Sequence, residues 1–294
     1  MSAAQNPSDL PKGNQSTTAV STTTLTIPNR TGHRRTLNDF FVKDGASGYS
    51  QIQIGNNTMM RIYDNLAQAK FVEGTDQKYL NMGFLGYLAK MIPDFPKPNA
   101  AQDESIVFTR DSTFDLMLAN WADEDSGDVT SRTKPGGSQS KKQLFILNMS
   151  NAATVTVTTP ASPIAQQDMP TGVSIFSDNN RISANNKFTV YCVAANVPVN
   201  VNSKTTRVHI FDDFTELFTS ETNQGLLVDP SLVGELGFDL NPPSMKWLDT
   251  PYVFMPNSRL TITADMTIAG GNNLSAGTQQ VFLIGIREII GGGA

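Results

Sequence analysis

Hydrophobic and polar positions alternate most regularly near the end of the chain. Leu260, Ile262, Ala264, Met266 and Ile268 interleave with Thr261, Thr263, Asp265 and Thr267. A period of two over such a stretch predicts a strand with one wet face. After a Gly/Asn/Ser loop, Val281, Phe282, Leu283, Ile284 and Ile286 run almost without a polar break. That run predicts a strand covered on both faces, paired with the first as a hairpin. Upstream, short apolar runs at 143–148, 154–158, 173–176, 187–193, 197–201 and 207–211 are separated by Pro and Asn/Gly turn signals. This rhythm predicts an antiparallel sandwich or barrel rather than alternating βαβ units.

The first half is less regular. Residues 24–27 and 49–54 read as strands, the second ending at Gly55-Asn56-Asn57. From there the spacing of Met59, Ile62, Tyr63, Leu66, Ala69 and Lys70 predicts a helix capped by Asn57 or Thr58. A second helical spacing follows in Tyr79, Met82, Phe84, Leu85, Leu88 and Met91 and stops at Pro93. Short strands are expected at 105–109 and 113–118. A further short helix is expected at 212–222, with Phe214, Leu217 and Phe218 on one side and Asp212 and Asp213 capping its start. Residues 123–140 are acidic and then Gly/Ser/Lys-rich, the signature of a boundary or a long exposed loop. The division expected from these features is an extended polar and basic arm over 1–36, a mixed β/α half over 37–140, and a β-sandwich over 141–294.

Composition narrows the class. The 294 residues can bury a substantial core. Charged residues make up 17%, against about a quarter in typical soluble domains, and Ser, Thr, Asn and Gln fill the difference. The net charge of -5 is distributed unevenly. Residues 1–43 carry five basic side chains against two acidic ones, a net of +3 that leaves -8 for the remainder. The basic knot of Arg30, Arg34 and Arg35, with His33 among them, is therefore a candidate contact for nucleic acid or for an acidic patch on a sister subunit. A solvated turn is the competing reading. Cys192 is the single cysteine, which excludes an intramolecular disulfide and a multi-thiolate metal site. Its apolar neighbours place it in a core. No apolar run reaches the ~20 residues of a membrane helix, and no secretory signal is expected at the N-terminus.

Chemistry-bearing patterns are sparse. His33 and His209 are far apart and in no ligand spacing. Serine-hydrolase elbows, phosphate-binding loops and dinucleotide fingerprints are absent from the sequence. Asp123, Glu124, Asp125 and Asp128 could hold a hard cation through oxygen, but Gly127 and Lys134 break the EF-hand pattern, and a solvated acidic loop is the simpler reading. The aromatics sit inside apolar patterns instead of alternating with Lys and Arg, as a single-strand nucleic-acid groove requires. No cofactor and no catalytic residue is expected, and the chain is expected not to be an enzyme.

A polar N-terminal arm, a Thr/Asn-rich β body with short helices between strands, one cysteine and no catalytic motif together resemble bacteriophage virion proteins. The likeness is to jelly-roll capsid proteins, including the double jelly-roll type, and is clearest over 142–290. The resemblance implies a mainly β fold: a jelly-roll-type antiparallel sandwich, one roll or two, with a few short inserted helices. It also implies a capsid subunit that assembles with copies of itself, trimers among the forms, and with other virion proteins in the host cytoplasm. The N-terminal arm would cross onto a neighbouring subunit. The alternative is a receptor- or glycan-binding β-sandwich of a spike or tail, with ligand contacts on end loops near Trp121 or Trp247. A polysaccharide-active enzyme would need paired carboxylates in a cleft.

Overall fold

The computed structural model describes residues 15–19, 22–29, 31–44, 49–63, 68–70, 78–80, 84–114, 116–124, 132–154, 162–168, 174–196, 203–218, 226–228, 244–268, 275–277 and 279–291. The chain divides into two compact units, with the boundary inside one strand between Phe145 and Ile146. Both are antiparallel β, and the described residues contain one short helix.

The first unit holds β1 (Gln15–Ala19), β2 (Thr22–Ile27), β3 (Arg34–Asp44), β4 (Tyr49–Ile54), β5 (Asn57–Tyr63), β6 (Gln68–Lys70) and β7 (Lys78–Leu80). The helix α1 (Phe84–Met91) follows, then β8 (Asn99–Ala100), β9 (Ile106–Phe114) and β10 (Leu116–Glu124). One sheet runs β1-β10-β3-β7-β6, with β8 added to β3, and the other runs β2-β9-β4-β5. Their inner faces meet where Phe40 of β3 lies against Phe108 of β9, ring centroids 5.0 Å apart. Leu37 and Val42 of β3, Ile52 and Ile54 of β4, and Ile106 of β9 bury completely. Burial of such side chains is worth roughly 1.5–3 kcal/mol each.

The second unit holds β11 (Lys142–Asn151) from Ile146 onward, β12 (Ser162–Asp168), β13 (Asn186–Asn196), β14 (Ser203–Asp212) and β15 (Thr215–Leu217). It continues with β16 (Leu226–Val228), β17 (Ser244–Phe254), β18 (Leu260–Ile268) and β19 (Gln280–Ile289). These form a continuous path β15-β14-β18-β12-β11-β19-β13-β17, with β16 also on β14. At β12 the path passes from one sheet to a second: Ser162 and Pro163 pair with β18, while Ile164 and residues 166–168 pair with β11. The far ends then meet, because Tyr252 of β17 donates its hydroxyl hydrogen to Asp212 Oδ2 at the end of β14 (2.7 Å). Two antiparallel sheets joined through β12 and linked by this bond between β17 and β14 form a β-sandwich.

The two units share one winding. Leaving aside the small additions β6, β8 and β16, each unit has eight strands in chain order. In each, the first, eighth, third and sixth strands form one sheet, and the second, seventh, fourth and fifth form the other. The orders are β1-β10-β3-β7 with β2-β9-β4-β5, and β11-β19-β13-β17 with β12-β18-β14-β15.

Several expectations hold. The strand over Leu260–Ile268 is present, and Leu260, Ile262 and Ala264 are buried while Thr261 and Thr263 are half-buried. β19 is a central strand between β11 and β13, with residues 281–286 all buried. Cys192 is a buried core residue of β13. The runs at 143–148, 187–193 and 207–211 lie in β11, β13 and β14, whereas 154–158 and 197–201 fall largely or wholly outside the described residues.

Others are corrected. β18 and β19 do not pair with each other: β18 lies between β14 and β12, so their connection carries the chain from one sheet to the other. The helix expected from Thr58 is strand β5. Its residues 59–63 are all buried, and a strand covered on both faces has no period to read. Gly55, at φ +57, is the first residue of a two-residue turn joining β4 to β5, as a type II′ hairpin requires. Of the helix expected at 212–222, residues 212–217 form a second tight hairpin, in which Asp212 pairs with Thr215 across Asp213 and Phe214; residues 219–222 lie outside the described residues. Asp213 adopts φ +52, a conformation that Asp tolerates better than most residues. The second predicted helix is confirmed only over Phe84–Met91, since Tyr79 belongs to β7. Residues 15–19 and 22–27 of the expected arm are strands within the first unit, paired to β10 and β9, with Leu25 and Ile27 buried; residues 1–14 lie outside the described residues. In the segment expected as an exposed loop, Gly136, Gly137, Ser138 and Ser140 are buried.

Candidate functional site

Arg34 and Arg35 of the basic knot are turned inward. Strand β3 begins at Arg34, and the bulge at Asn38, skipped between the pairs Asp39–Asn120 and Leu37–Trp121, sets the register that brings Asp123 opposite Arg35. Arg35 is 5% exposed. Its Nε donates to Asp123 Oδ1 at 2.8 Å and its Nη2 to Oδ2 at 3.3 Å. It also donates to the carbonyl of Pro28, and its guanidinium lies 5.1 Å from the centre of the Trp121 ring. Arg34 is 1% exposed and donates to Asn99 Oδ1 at 2.8 Å. His33 is half-buried, and its carbonyl accepts from Asn29 Nδ2 at 3.0 Å. Arg30 lies outside the described residues. Both described arginines are thus committed to partners inside the first unit, and Trp121 is buried beside them.

The acidic run is divided likewise. Asp123 faces Arg35, and Glu124 Oε2 is 2.5 Å from Lys134 Nζ. Asp125 and Asp128 fall outside the described residues, and no group of three potential metal ligands occurs among the described residues.

Beside this network is a cavity of about 350 Å³. Phe95 and Pro135 supply apolar wall; Lys97, Lys134, Asp94 and Glu124 put both signs of charge around it. Its walls are fixed by the connector between α1 and β8. Leu37 donates its N–H to the Pro98 carbonyl at 2.8 Å, and Asn99 donates its N–H to that of Gly136 at 3.0 Å. Asn99 Nδ2 donates to the carbonyls of Lys97 (3.0 Å) and Pro135 (2.7 Å). Gly136 sits at φ +84, and a Cβ there would come within 2.0 Å of the Lys97 carbonyl oxygen, so only glycine lets these two segments approach.

In the second unit, the polar groups expected to cap a helix do other work. Asp213 receives the Arg259 N–H on Oδ1 at 3.1 Å and gives its own N–H to the Arg259 carbonyl at 2.8 Å. This locks the β14–β15 turn to the loop between β17 and β18. The next residue, Phe214, is 96% exposed. Met255 in the adjoining loop is 54% exposed. Arg181 lies 3.9 Å from Asp213 and donates to the Asn257 carbonyl at 2.9 Å. On β14, His209 Nδ1 and Glu216 Oε1 are 2.5 Å apart. Partial burial, followed by the hydrogen bond and charge of Asp212 and then the charge of Asp213, pushes the Tyr252 phenol up to about 12. Trp247 is a half-buried residue of β17. The exposed Phe214 was invisible in the sequence, where its spacing with Leu217 and Phe218 pointed into a core.

No family model matches the chain, and no curated protein matches it. Among solved structures, a PNGF-II chain is 10% identical over 92% of this chain and 60% of its own length, with a TM-score of 0.26. The chain therefore spans 60% of the length of that protein. A chain of infectious bursal disease virus Gx strain is 9% identical over 99% of this chain and 75% of its own, with a TM-score of 0.21. Among the described residues, no helix is long and apolar enough to cross a membrane.

Proposed function

We propose that this chain is a viral structural protein, a capsid subunit built from two jelly rolls that assembles with copies of itself into a virion shell, in the class of bacteriophage capsids. The observation that carries this reading is the repeated winding: twice in one chain, eight strands distribute as first, eighth, third, sixth and second, seventh, fourth, fifth. Jelly rolls wind two Greek keys into two facing sheets and recur in viral capsid domains, although lectins and cupins use the same winding. Side chains that commonly do chemistry are engaged structurally here. Arg35 and Asp123 bind each other, and Glu124 binds Lys134. The role proposed is accordingly mechanical, with no reaction assigned. Many modest contacts repeated by symmetry stabilise such a shell.

Negative-stain microscopy and sedimentation velocity of the purified full chain test the proposal. Closed particles, sheets or discrete ring-shaped oligomers are expected at raised protein concentration. A chain that stays monomeric across concentration, salt and pH, or one that instead captures host glycans as a monomer, would overturn it.

A further inference from the structure

We propose that Phe214 of one copy seats in the Phe95–Pro135 cavity of another, making a head-to-tail contact between subunits. This rests on the assembling-subunit reading above. Phe214 is apolar and almost wholly exposed, yet the turn that carries it is held in place. Asp213 bonds twice to Arg259, and the next residue, Leu260, is itself anchored by donating its N–H to the Asn180 carbonyl at 3.0 Å. An aromatic ring displayed on a fixed turn loses little backbone freedom on docking, which is the economy of a preorganised anchor.

The receiving cavity is fixed as well. The Asn99 side chain and the close approach of Gly136 to Lys97 hold its walls, and its volume of about 350 Å³ exceeds that of a single phenyl ring. Charge decides between occupants. The rim carries Lys97 and Lys134 with Asp94 and Glu124, and the turn is flanked by Asp213, Arg181 and Arg259. Two of these charges are unspent among the described residues: the Asp94 carboxylate and the Arg259 guanidinium have no partner there. A second copy supplies an aromatic knob and the complementary cation together. Docking in this sense pairs Arg259 with Asp94 and Asp213 with Lys97, contacts that fix orientation more than they add affinity. The two surfaces are different patches, so the contact is heterologous and propagates from copy to copy until a ring or shell closes.

Three variants of the full chain test it. Phe214→Ala should leave the thermal midpoint unchanged, because almost none of the ring is buried. It should raise the protein concentration needed for half-assembly by about thirtyfold, the loss typical of a central anchor. Chains carrying Phe214→Cys, mixed under oxidising conditions with chains carrying Asp94→Cys, should give a disulfide-linked dimer of one of each. Cys192 is buried and does not compete. If the parent chain assembles but Phe214→Ala assembles at the same concentration, or if no mixed dimer forms even at protein concentrations raised about thirtyfold to offset the lost ring, this contact is refuted while the capsid reading stands. A parent chain that never assembles overturns both. Binding of a free glycan in the cavity without assembly would replace the second copy as occupant.

Discussion

The bond between Arg35 and Asp123 offers the sharpest test of the first unit's internal wiring. In a Trp247→Phe background Trp121 is the single tryptophan, and it lies against the Arg35 guanidinium, so its fluorescence reports the unfolding of this unit. Asp123→Ala leaves that guanidinium buried, with the Pro28 carbonyl and the Trp121 face as its remaining partners in this cluster. Removing one member of a buried pair costs about 3–5 kcal/mol, because the surviving charge cannot return to water. The remaining partners put Arg35 at the lower end, about 3 kcal/mol. With a urea slope of about 2–3 kcal/mol/M, the midpoint should fall by roughly 1–1.5 M. Asp123→Asn keeps one acceptor and should lose about half as much. The double variant Arg35→Met with Asp123→Leu should recover most of the loss, since an apolar pair of similar volume leaves no charge uncompensated. A midpoint for Asp123→Ala within roughly 0.2 M of its parent would refute this account. So would simple additivity of Arg35→Ala and Asp123→Ala, because neighbouring partners must couple.

Three further outcomes follow from the second unit. Gly285→Ala places a Cβ 2.0 Å from the Thr189 carbonyl oxygen, opposite the register shift in β13; forcing these central strands apart should cost about 3 kcal/mol or more, read by urea unfolding with Trp247 fluorescence. Gln279 is fully buried, and neither end of its side-chain amide has a hydrogen-bond partner among the described residues. Gln279→Met should therefore be neutral or stabilising by up to about 2 kcal/mol, and a marked loss in the same assay would show that the amide is satisfied. Tyr252, with its folded phenol raised to about 12 from 10.0, keeps its proton after the unfolded chain has lost its own. Its contribution to stability is complete below about pH 10 and is lost as pH rises through about 12. Absorbance titration should show a late-ionising tyrosine that disappears in Tyr252→Phe, and an unchanged titration curve would contradict the bond to Asp212.

Where one face is wet, the sequence was legible. Leu260, Ile262 and Ala264 alternate with threonines because one side of β18 faces the core and the other does not. The unbroken run at 281–286 announced a central strand for the same reason in reverse. Legibility failed where both faces are covered over a short stretch. Residues 59–63 are buried on both sides, so their spacing fitted a helix as well as a strand. It failed again at Asp213–Phe214, where a two-residue turn directs the ring outward and local spacing directs it inward. The basic knot misled differently. A run of arginines has the same composition whether it faces solvent or, like Arg34 and Arg35, finds Asn99 and Asp123 at distant positions in the chain.

What the amino-acid order determined by itself was class: antiparallel β, a low surface charge, a core cysteine and no recognisable catalytic motif. These are local properties, set by the period of two, by turn residues and by composition, and they need no knowledge of which strands meet. Only the tertiary structure decided the partners. That β18 and β19 belong to different sheets, that β3 lies between β10 and β7, and that the same winding occurs twice are facts of long-range pairing. Pairing depends on which faces meet across more than a hundred residues of chain, as Asn151 does when its Oδ1 accepts the Gln279 N–H. Two units can share a winding with no shared residues to betray it, because an eight-strand topology constrains where apolar faces lie and leaves the identity of the residues on them free.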